Sequence, residues 1–182
     1  MASITPHHIL EFWFIEHGPR DWFASNPDFD AKITKQFGDA YPSILAGKHH
    51  NWRETAEGRL AEIIVLDQFS RNLFRGTAKA FAADPIALSL AQEAIAVDAD
   101  QALNQQQRWM LYLPFMHSES LAIHKIAIDL FTKLGLDQVL DYEIRHKDII
   151  ERFGRYPHRN AALGRQSTQE ELAFLDQPGS SF

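Results

Sequence analysis

A carboxylate and a guanidinium lie inside an otherwise apolar helical pattern between residues 60 and 74. Asp67 and Arg71 share one stripe of this pattern with three apolar residues, Leu60, Ile64 and Phe74. The pair is four residues apart with the acid first, the order that favours an ion pair on a helix. Burying such a pair costs free energy unless partners satisfy both charges. Two interpretations stay open: a clamp between helices, or the floor of a pocket in which Asp67, Arg71 and Asn72 face an anionic ligand.

A second basic segment repeats part of this pattern near the end of the chain. Residues 154–165 contain three arginines and no acidic residue, and the pattern Arg-Asn-x-x-x-Gly begins at Arg71 and again at Arg159. A long ordered loop more often carries function than serves only as a connection. Arg159, Asn160 and Arg165 are therefore candidate ligand-binding residues. The alternative is that they satisfy carbonyl groups at helix ends, with the glycine in a left-handed turn.

Histidine and glutamate residues supply candidates for acid–base chemistry. His117 and Glu119 lie together at a predicted helix boundary, and His158 lies in the second basic segment. Such groups transfer protons, but no nucleophile accompanies them, so the catalytic residues stay unknown. His117 and His124 would be separated by about 10.5 Å along one helix, too far to share a metal ion. The sequence therefore predicts neither a metal site nor a cofactor.

Helical periodicity extends over nearly the whole chain, and no alternating strand pattern competes with it. Proline after a capping residue marks several helix starts, and glycine marks several ends. The predicted helices cover approximately residues 6–17, 27–46, 55–74, 84–99, 104–114, 118–134, 137–153 and 167–175. No linker or low-complexity segment divides them. We therefore expect one all-helical domain over residues 1–182, with seven to eight helices.

Composition excludes several classes of function. The 182 residues include no cysteine, which removes thiol catalysis, cysteine-bound zinc and iron–sulfur clusters. The net charge of −6 argues against broad electrostatic binding of nucleic acid. No apolar segment approaches the ~20 residues that span a bilayer, and no signal-peptide pattern opens the chain. Motifs for phosphate-loop nucleotide binding, dinucleotide binding and serine hydrolysis are absent from the sequence. We expect a cytoplasmic protein that binds neither nucleic acid nor membranes.

Four segments resemble the bacterial family known as domain of unknown function 924. They are Ile9–Phe14, Asp67–Gly76, Tyr112–Glu119 and Phe153–Arg165 with the helix start that follows. The resemblance covers essentially the whole chain and implies an all-helical, tetratricopeptide-like superhelical fold of antiparallel helix pairs. It implies no established activity and no settled catalytic residues. By analogy, a superhelix offers a concave surface for a peptide or partner protein.

We expect the polar segments to meet in one pocket between helices, because each places charge among apolar residues. The favoured function is a binding module for a peptide, a partner protein or a small anionic ligand. The alternative is an enzyme, in particular a hydrolase of a phosphorylated or carboxylated small molecule, with an Arg/Asn/His/Glu pocket. Homo-oligomer formation stays open.

Overall fold

The chain is helical throughout the part that the structure describes. In a computed structural model, residues 4–180 are described, and every regular element among them is an α-helix, a 3-10 helix or a π turn. The α-helices are α1 (Pro6–Glu11), α2 (Pro19–Trp22), α3 (Pro27–Phe37), α4 (Tyr41–Leu45), α5 (Ala56–Ile64), α6 (Ser70–Leu73), α7 (Asp84–Ala96), α8 (Gln105–Met116), α9 (Leu121–Leu134), α10 (Asp137–Phe153) and α11 (Gln169–Leu175). Residues 1–3, 181 and 182 of the predicted domain lie outside the described residues.

Short 3-10 helices and π turns connect or extend these α-helices. Two π turns continue helices directly, Phe12–Glu16 after α1 and Val65–Phe69 between α5 and α6. The 3-10 helices are His50–Glu54, Ala78–Ala80, Ala99–Ala102 and Pro157–Arg159. Within residues 4–180, no helix combines the length and apolar character needed to cross a membrane.

Capping residues explain where several helices begin and end. The Asn26 side chain accepts hydrogen bonds from the first turn of α3, and the Thr55 hydroxyl accepts one from the first turn of α5. Both α9 and α10 end at glycines with left-handed backbone, Gly135 at φ 73° and Gly154 at φ 69°. These signals are local, which is why the sequence predicts the bounds of α10 correctly.

The predicted count of seven to eight helices is too low. The predicted helix over 27–46 is divided, because α3 ends at Phe37 and Pro42 opens the separate α4. The structure also has the short helix α2, which the sequence pattern does not predict.

Two predicted helix starts are also displaced. Helix α9 begins at Leu121 rather than Ser118. The capping box of α11 joins Thr168 to Glu171, one residue later than the sequence pattern predicts.

Helix α5 with its π turn forms the centre of the hydrophobic core. Leu60, Ile63, Ile64 and Leu66 are fully buried there. Helix α5 packs against α1, α7 and α8, and α8 continues the packing to α9 and then α10. A smaller apolar cluster joins α10 to the loop after it, through Ile149, Ile150 and Tyr156. The polar segments of interest lie where these two clusters meet.

Gly58 allows the first turn of α5 to approach the 3-10 helix at His50–Glu54. A Cβ atom at this position would lie 1.9 Å from the Trp52 carbonyl oxygen. We therefore expect Gly58→Ala to lower the free energy of unfolding by about 1–3 kcal/mol through overpacking. Helix propensity alone would change stability by about 1 kcal/mol in the opposite direction. Urea unfolding measures the sign, and the exposed Glu57→Ala on the same helix is the control; a stabilised Gly58→Ala would contradict the close approach.

Candidate functional site

The π turn Val65–Phe69 places a fully buried carboxylate at the centre of the site. Asp67 lies in this turn, between two stretches of regular helix. π turns inside α-helices are rare and occur frequently at functional sites. Arg71 follows in α6, and its guanidinium donates to the Asp67 backbone carbonyl and lies 3.4 Å from the Asp67 carboxylate. The ion pair predicted from the sequence is therefore present, but Asp67 lies in a π turn rather than in a regular α-helix.

Asp67 orients His117, which lies just after the end of α8. The His117 Nδ1 is 2.8 Å from Asp67 Oδ1, and Gln68 donates to the other carboxylate oxygen at 2.6 Å. Burial alone would raise the pKa of Asp67. The charge of Arg71 and the hydrogen bond with His117 outweigh burial and hold this pKa well below its usual range. Burial and the charge of Arg71 lower the pKa of His117, so its imidazole is neutral at pH 7.

One carboxylate joins the two Arg-Asn segments. Arg71 donates two hydrogen bonds to Asp84, from Nη1 and Nη2, each at 3.1 Å. Arg159 donates to the same carboxylate from Nη1, also at 3.1 Å. Asp84 is the first residue of α7, so three separate elements meet at this group. We call Arg71 and Arg159 the arginine pair.

Arg159 has an unusual environment for a positive charge. Its side chain is only 7% exposed, and its guanidinium lies 4.7 Å from the centre of the Phe81 ring and 4.5 Å from that of Tyr156. Rings on guanidinium groups give favourable cation–π contacts. Within the described residues the guanidinium makes one hydrogen bond, to Asp84, and its buried Nε has no partner. Burial and the nearby charge of Arg71 lower the pKa of Arg159.

Glu119, Arg165 and Asn160 form a second, fully paired cluster. Arg165 donates to both carboxylate oxygens of Glu119, at 2.7 and 2.9 Å, and to the Asn160 side-chain oxygen at 2.9 Å. Glu119 also accepts from the backbone N–H of Tyr156 at 2.7 Å. We call these three residues the Glu119 clamp. It fixes the loop over 155–165 against the start of α9.

The clamp continues into α11 through Glu171. The Asn160 amide donates to Ser167 and to Glu171, and Arg155 donates to both oxygens of Glu171 at 2.6 and 2.8 Å. The hydrogen bond from Arg155, helped by the Thr168 N–H, lowers the pKa of Glu171 to about 2. This part of the loop is therefore held by ion pairs on both sides.

The two remaining candidate residues are Asn72, which pairs with another helix, and His158, which lies next to Arg159 in the chain. The Asn72 amide donates to Asp30 on α3 at 2.8 Å, where Arg75 also binds, so it makes no hydrogen bond to the arginine pair. His158 adjoins Arg159, and burial together with the Arg159 charge lowers the pKa of His158 to about 4. His158 is therefore neutral at pH 7.

Sequence reasoning missed the acceptor and the rings that hold the arginine pair. In the sequence, Asp84 stands before a proline at the start of the predicted helix over 84–99, which gives no sign that it pairs with arginines. Phe81 and Tyr156 carry no motif, and only the fold brings them to Arg159. Two cavities elsewhere in the described residues, of about 330 and 290 Å³, are lined by no residue of the arginine pair. The site is a polar cluster at helix ends.

The fold and the cluster define an all-helical protein with buried charges at its helix junctions. The sequence matches the family described as bacterial protein of unknown function (DUF924) over residues 9–179, and the chain belongs to this family. It is similar to a solved structure, a protein of unknown function, ATU0120, from Agrobacterium tumefaciens. The two share 42% identity with a TM-score of 0.89, over 94% of this chain and 96% of that one. No curated protein matches the chain. The resemblance drawn from the four segments is confirmed at the level of the family.

The lowered pKa of Glu171 predicts a specific acid sensitivity. Its folded-state pKa of about 2 lies below the ordinary value of 4.5, so its contribution to stability is complete above that value. The contribution is lost as the pH falls towards 2. We expect the stability difference between the wild type and Glu171→Gln to shrink from pH 6 to pH 2.5, measured by urea unfolding.

The matched control for this experiment is Glu170→Gln on the same helix. The Glu170 side chain is 63% exposed in its ion pair with Arg152, and such surface pairs contribute little. Equal pH dependence in the two variants would contradict a stabilising role for the buried Glu171 carboxylate.

Proposed function

We propose that the protein binds a small anionic ligand, a phosphate or a carboxylate, at the arginine pair. The observation that carries this proposal is the hydrogen-bonding capacity that Arg159 leaves unused. A guanidinium has five N–H donors, and this buried one has one hydrogen bond among the described residues. Buried polar groups normally have partners, because an unsatisfied one costs free energy. An anion would supply the missing acceptors.

Hydrogen-bonding capacity, rather than net charge, supports the same ligand class. Two carboxylates balance the arginine pair, because Asp84 is shared between its two guanidiniums and Asp67 forms an ion pair with Arg71. Asp67 is also hydrogen-bonded to His117. The unused N–H donors of Arg159 lie in a partly desolvated place, where a charge-assisted hydrogen bond to an anion is strong.

The cluster is reachable from solvent at one side. The Arg71 side chain is 21% exposed and the His117 side chain 15%, while Arg159 lies deeper against the rings. A ligand would meet Arg71 first and then the inner guanidinium. Arg71 would position it together with Arg159, and Asp67 would hold Arg71 in place. The Glu119 clamp, with Asn160 and Arg165, would hold the loop that carries Arg159.

Binding of a peptide or partner protein is the broader form of this proposal. A chain terminus or a phosphorylated side chain would present the same anionic group.

We also propose the tetratricopeptide-like arrangement of antiparallel helix pairs. The packing of α8 on α9 and of α9 on α10, joined by short connections, supports it. The cytoplasmic location and the absence of nucleic-acid and membrane partners stay predictions of the sequence, and homo-oligomer formation stays open.

Thermal unfolding with small phosphates and carboxylates tests anion binding. At a concentration 100 times its dissociation constant, a bound anion adds about 2.7 kcal/mol of stability. For a chain of this size, that raises the melting temperature by roughly 5–10 °C. We expect Arg159→Gln to weaken binding at least tenfold, because a charge-assisted hydrogen bond is lost.

Two further variants complete the design. Arg71→Gln tests the more exposed arginine should the inner substitution prevent folding. Arg152→Gln, at an exposed ion pair outside the site, is the control and should bind as the wild type does. Equal stabilisation of wild type and both site variants, or no stabilisation by any anion, would contradict the proposal.

The Asp67–His117 pair favours a second candidate function, hydrolysis of a phosphorylated or carboxylated small molecule. If the His117 Nδ1–H donates to Asp67, the basic nitrogen is Nε2, and the lowered pKa keeps it unprotonated at pH 7. A carboxylate that orients a neutral imidazole beside two guanidiniums suits a general base that activates water. The arginine pair would bind the charged group and stabilise negative charge developing on it.

Turnover of phosphate monoesters and carboxylic esters tests this second function. His117→Gln should reduce turnover by about 100-fold or more, since general base catalysis contributes on that scale. It should leave anion binding within a few-fold of the wild type. The exposed His7→Gln is the control. Unchanged turnover in His117→Gln, or no turnover of any ester by the wild type, would exclude this role and leave anion binding standing.

A further inference from the structure

A second polar region, which shares no residue with the arginine pair, lies around the 3-10 helix Ala99–Ala102. A cavity of about 330 Å³ opens between this helix, the end of α7, and helices α8 and α9. Its volume is at the lower end of the range for small-molecule sites. The charged residues that line it are Asp98, Asp100, Arg108 and Lys133.

Asp100 leaves one buried acceptor unused in this cavity. Asp100 is only 3% exposed. The Oδ2 atom accepts from the Tyr112 hydroxyl at 2.6 Å and from Gln101 Nε2 at 2.9 Å. The Oδ1 atom is buried and has no hydrogen-bond partner among residues 4–180. A buried carboxylate oxygen without a donor costs free energy, which a ligand with an N–H group would recover.

Arg108 leaves one buried donor unused in the same cavity. Its Nε is buried without a partner, and in the described part of the chain the guanidinium forms no ion pair with Asp100 or any other acid. Lys133, near the end of α9, likewise has no ion pair among the described residues. Two opposite charges that line one cavity without contacting each other leave room for a ligand between them.

The charges around the cavity select the class of ligand. The two acids and two bases balance, so a ligand with a single charge would leave one sign unmatched. Within residues 4–180, no group of histidine, aspartate or glutamate is arranged to hold a metal ion. An ammonium group matches the unused Asp100 oxygen. A carboxylate matches Arg108, with Lys133 at the rim. A molecule that carries both groups provides partners for Asp100, Arg108 and Lys133 together.

We propose that this cavity binds a free α-amino acid, with its ammonium group on Asp100 and its carboxylate on Arg108. Tyr112 holds the Asp100 carboxylate in place through its hydroxyl. The site is independent of the arginine pair, because the two share no residue and the cavity lining includes none of that cluster.

Calorimetric titration of the full chain with the standard free L-amino acids tests the proposal. We expect at least one of them to bind, and binding to fall at least tenfold when its amine is acetylated or its carboxylate is amidated. Asp100→Asn should weaken binding at least tenfold and Arg108→Gln should do the same, because each removes one charge that the ligand needs. Thermal unfolding confirms that each variant is folded.

If the substitution Asp100→Asn at this buried position prevents folding, Arg108→Gln still tests the proposal. The exposed Asp141→Asn and Arg145→Gln on α10 are matched controls and should bind as the wild type does. Arg159→Gln should also leave amino-acid binding unchanged, which separates this site from the arginine pair. The proposal is overturned if no free amino acid binds, if the blocked derivatives bind equally well, or if Arg108→Gln binds with unchanged affinity.

Discussion

The Asp84 carboxylate holds together the elements that surround the arginine pair. It accepts three hydrogen bonds, two from Arg71 and one from Arg159. Two guanidiniums at this depth would repel each other strongly without a shared anion, because the surrounding dielectric is low. One carboxylate at the start of α7 thus fixes the end of the central helix against the loop at 155–165. The position of that loop in turn places Arg159 against Phe81, while Tyr156 of the same loop also contacts the guanidinium.

The sequence predicts a helix boundary correctly where a local signal, such as a capping residue or a glycine, marks it. Helix α10 is bounded by an acidic residue at its start and by Gly154, and both act on neighbouring backbone, so its limits are predicted correctly. The π turn Val65–Phe69 has no such signal, because its apolar residues fit an ordinary α-helix equally well. The division after α3 has a sequence signal in Gly38 and Pro42, but apolar periodicity continues past Phe37 and favours one helix. The backbone shows that the proline signal is the correct one.

The candidate site was predictable in residue type but not in pairing. A charge within an apolar pattern marks a residue that must find a partner, and this reasoning selects Asp67 and Arg71. The repeated Arg-Asn pattern selects Arg159 and Asn72, although the Asn72 partner is Asp30 on another helix. The acceptor Asp84 was missed because helix capping already explained it. Partners that come from distant segments follow from tertiary structure, which no spacing along the chain encodes.

Hydrogen-bond capacity separates buried charges that hold the fold from those that await a ligand. The Glu119 clamp uses both carboxylate oxygens and the planar fork of Arg165, so the fold alone accounts for it. Arg159 and Asp100 each keep a buried polar atom without a partner. Folding selects against such atoms because each one lowers stability. Their presence at two places that share no residue therefore points to two ligands rather than one shared site.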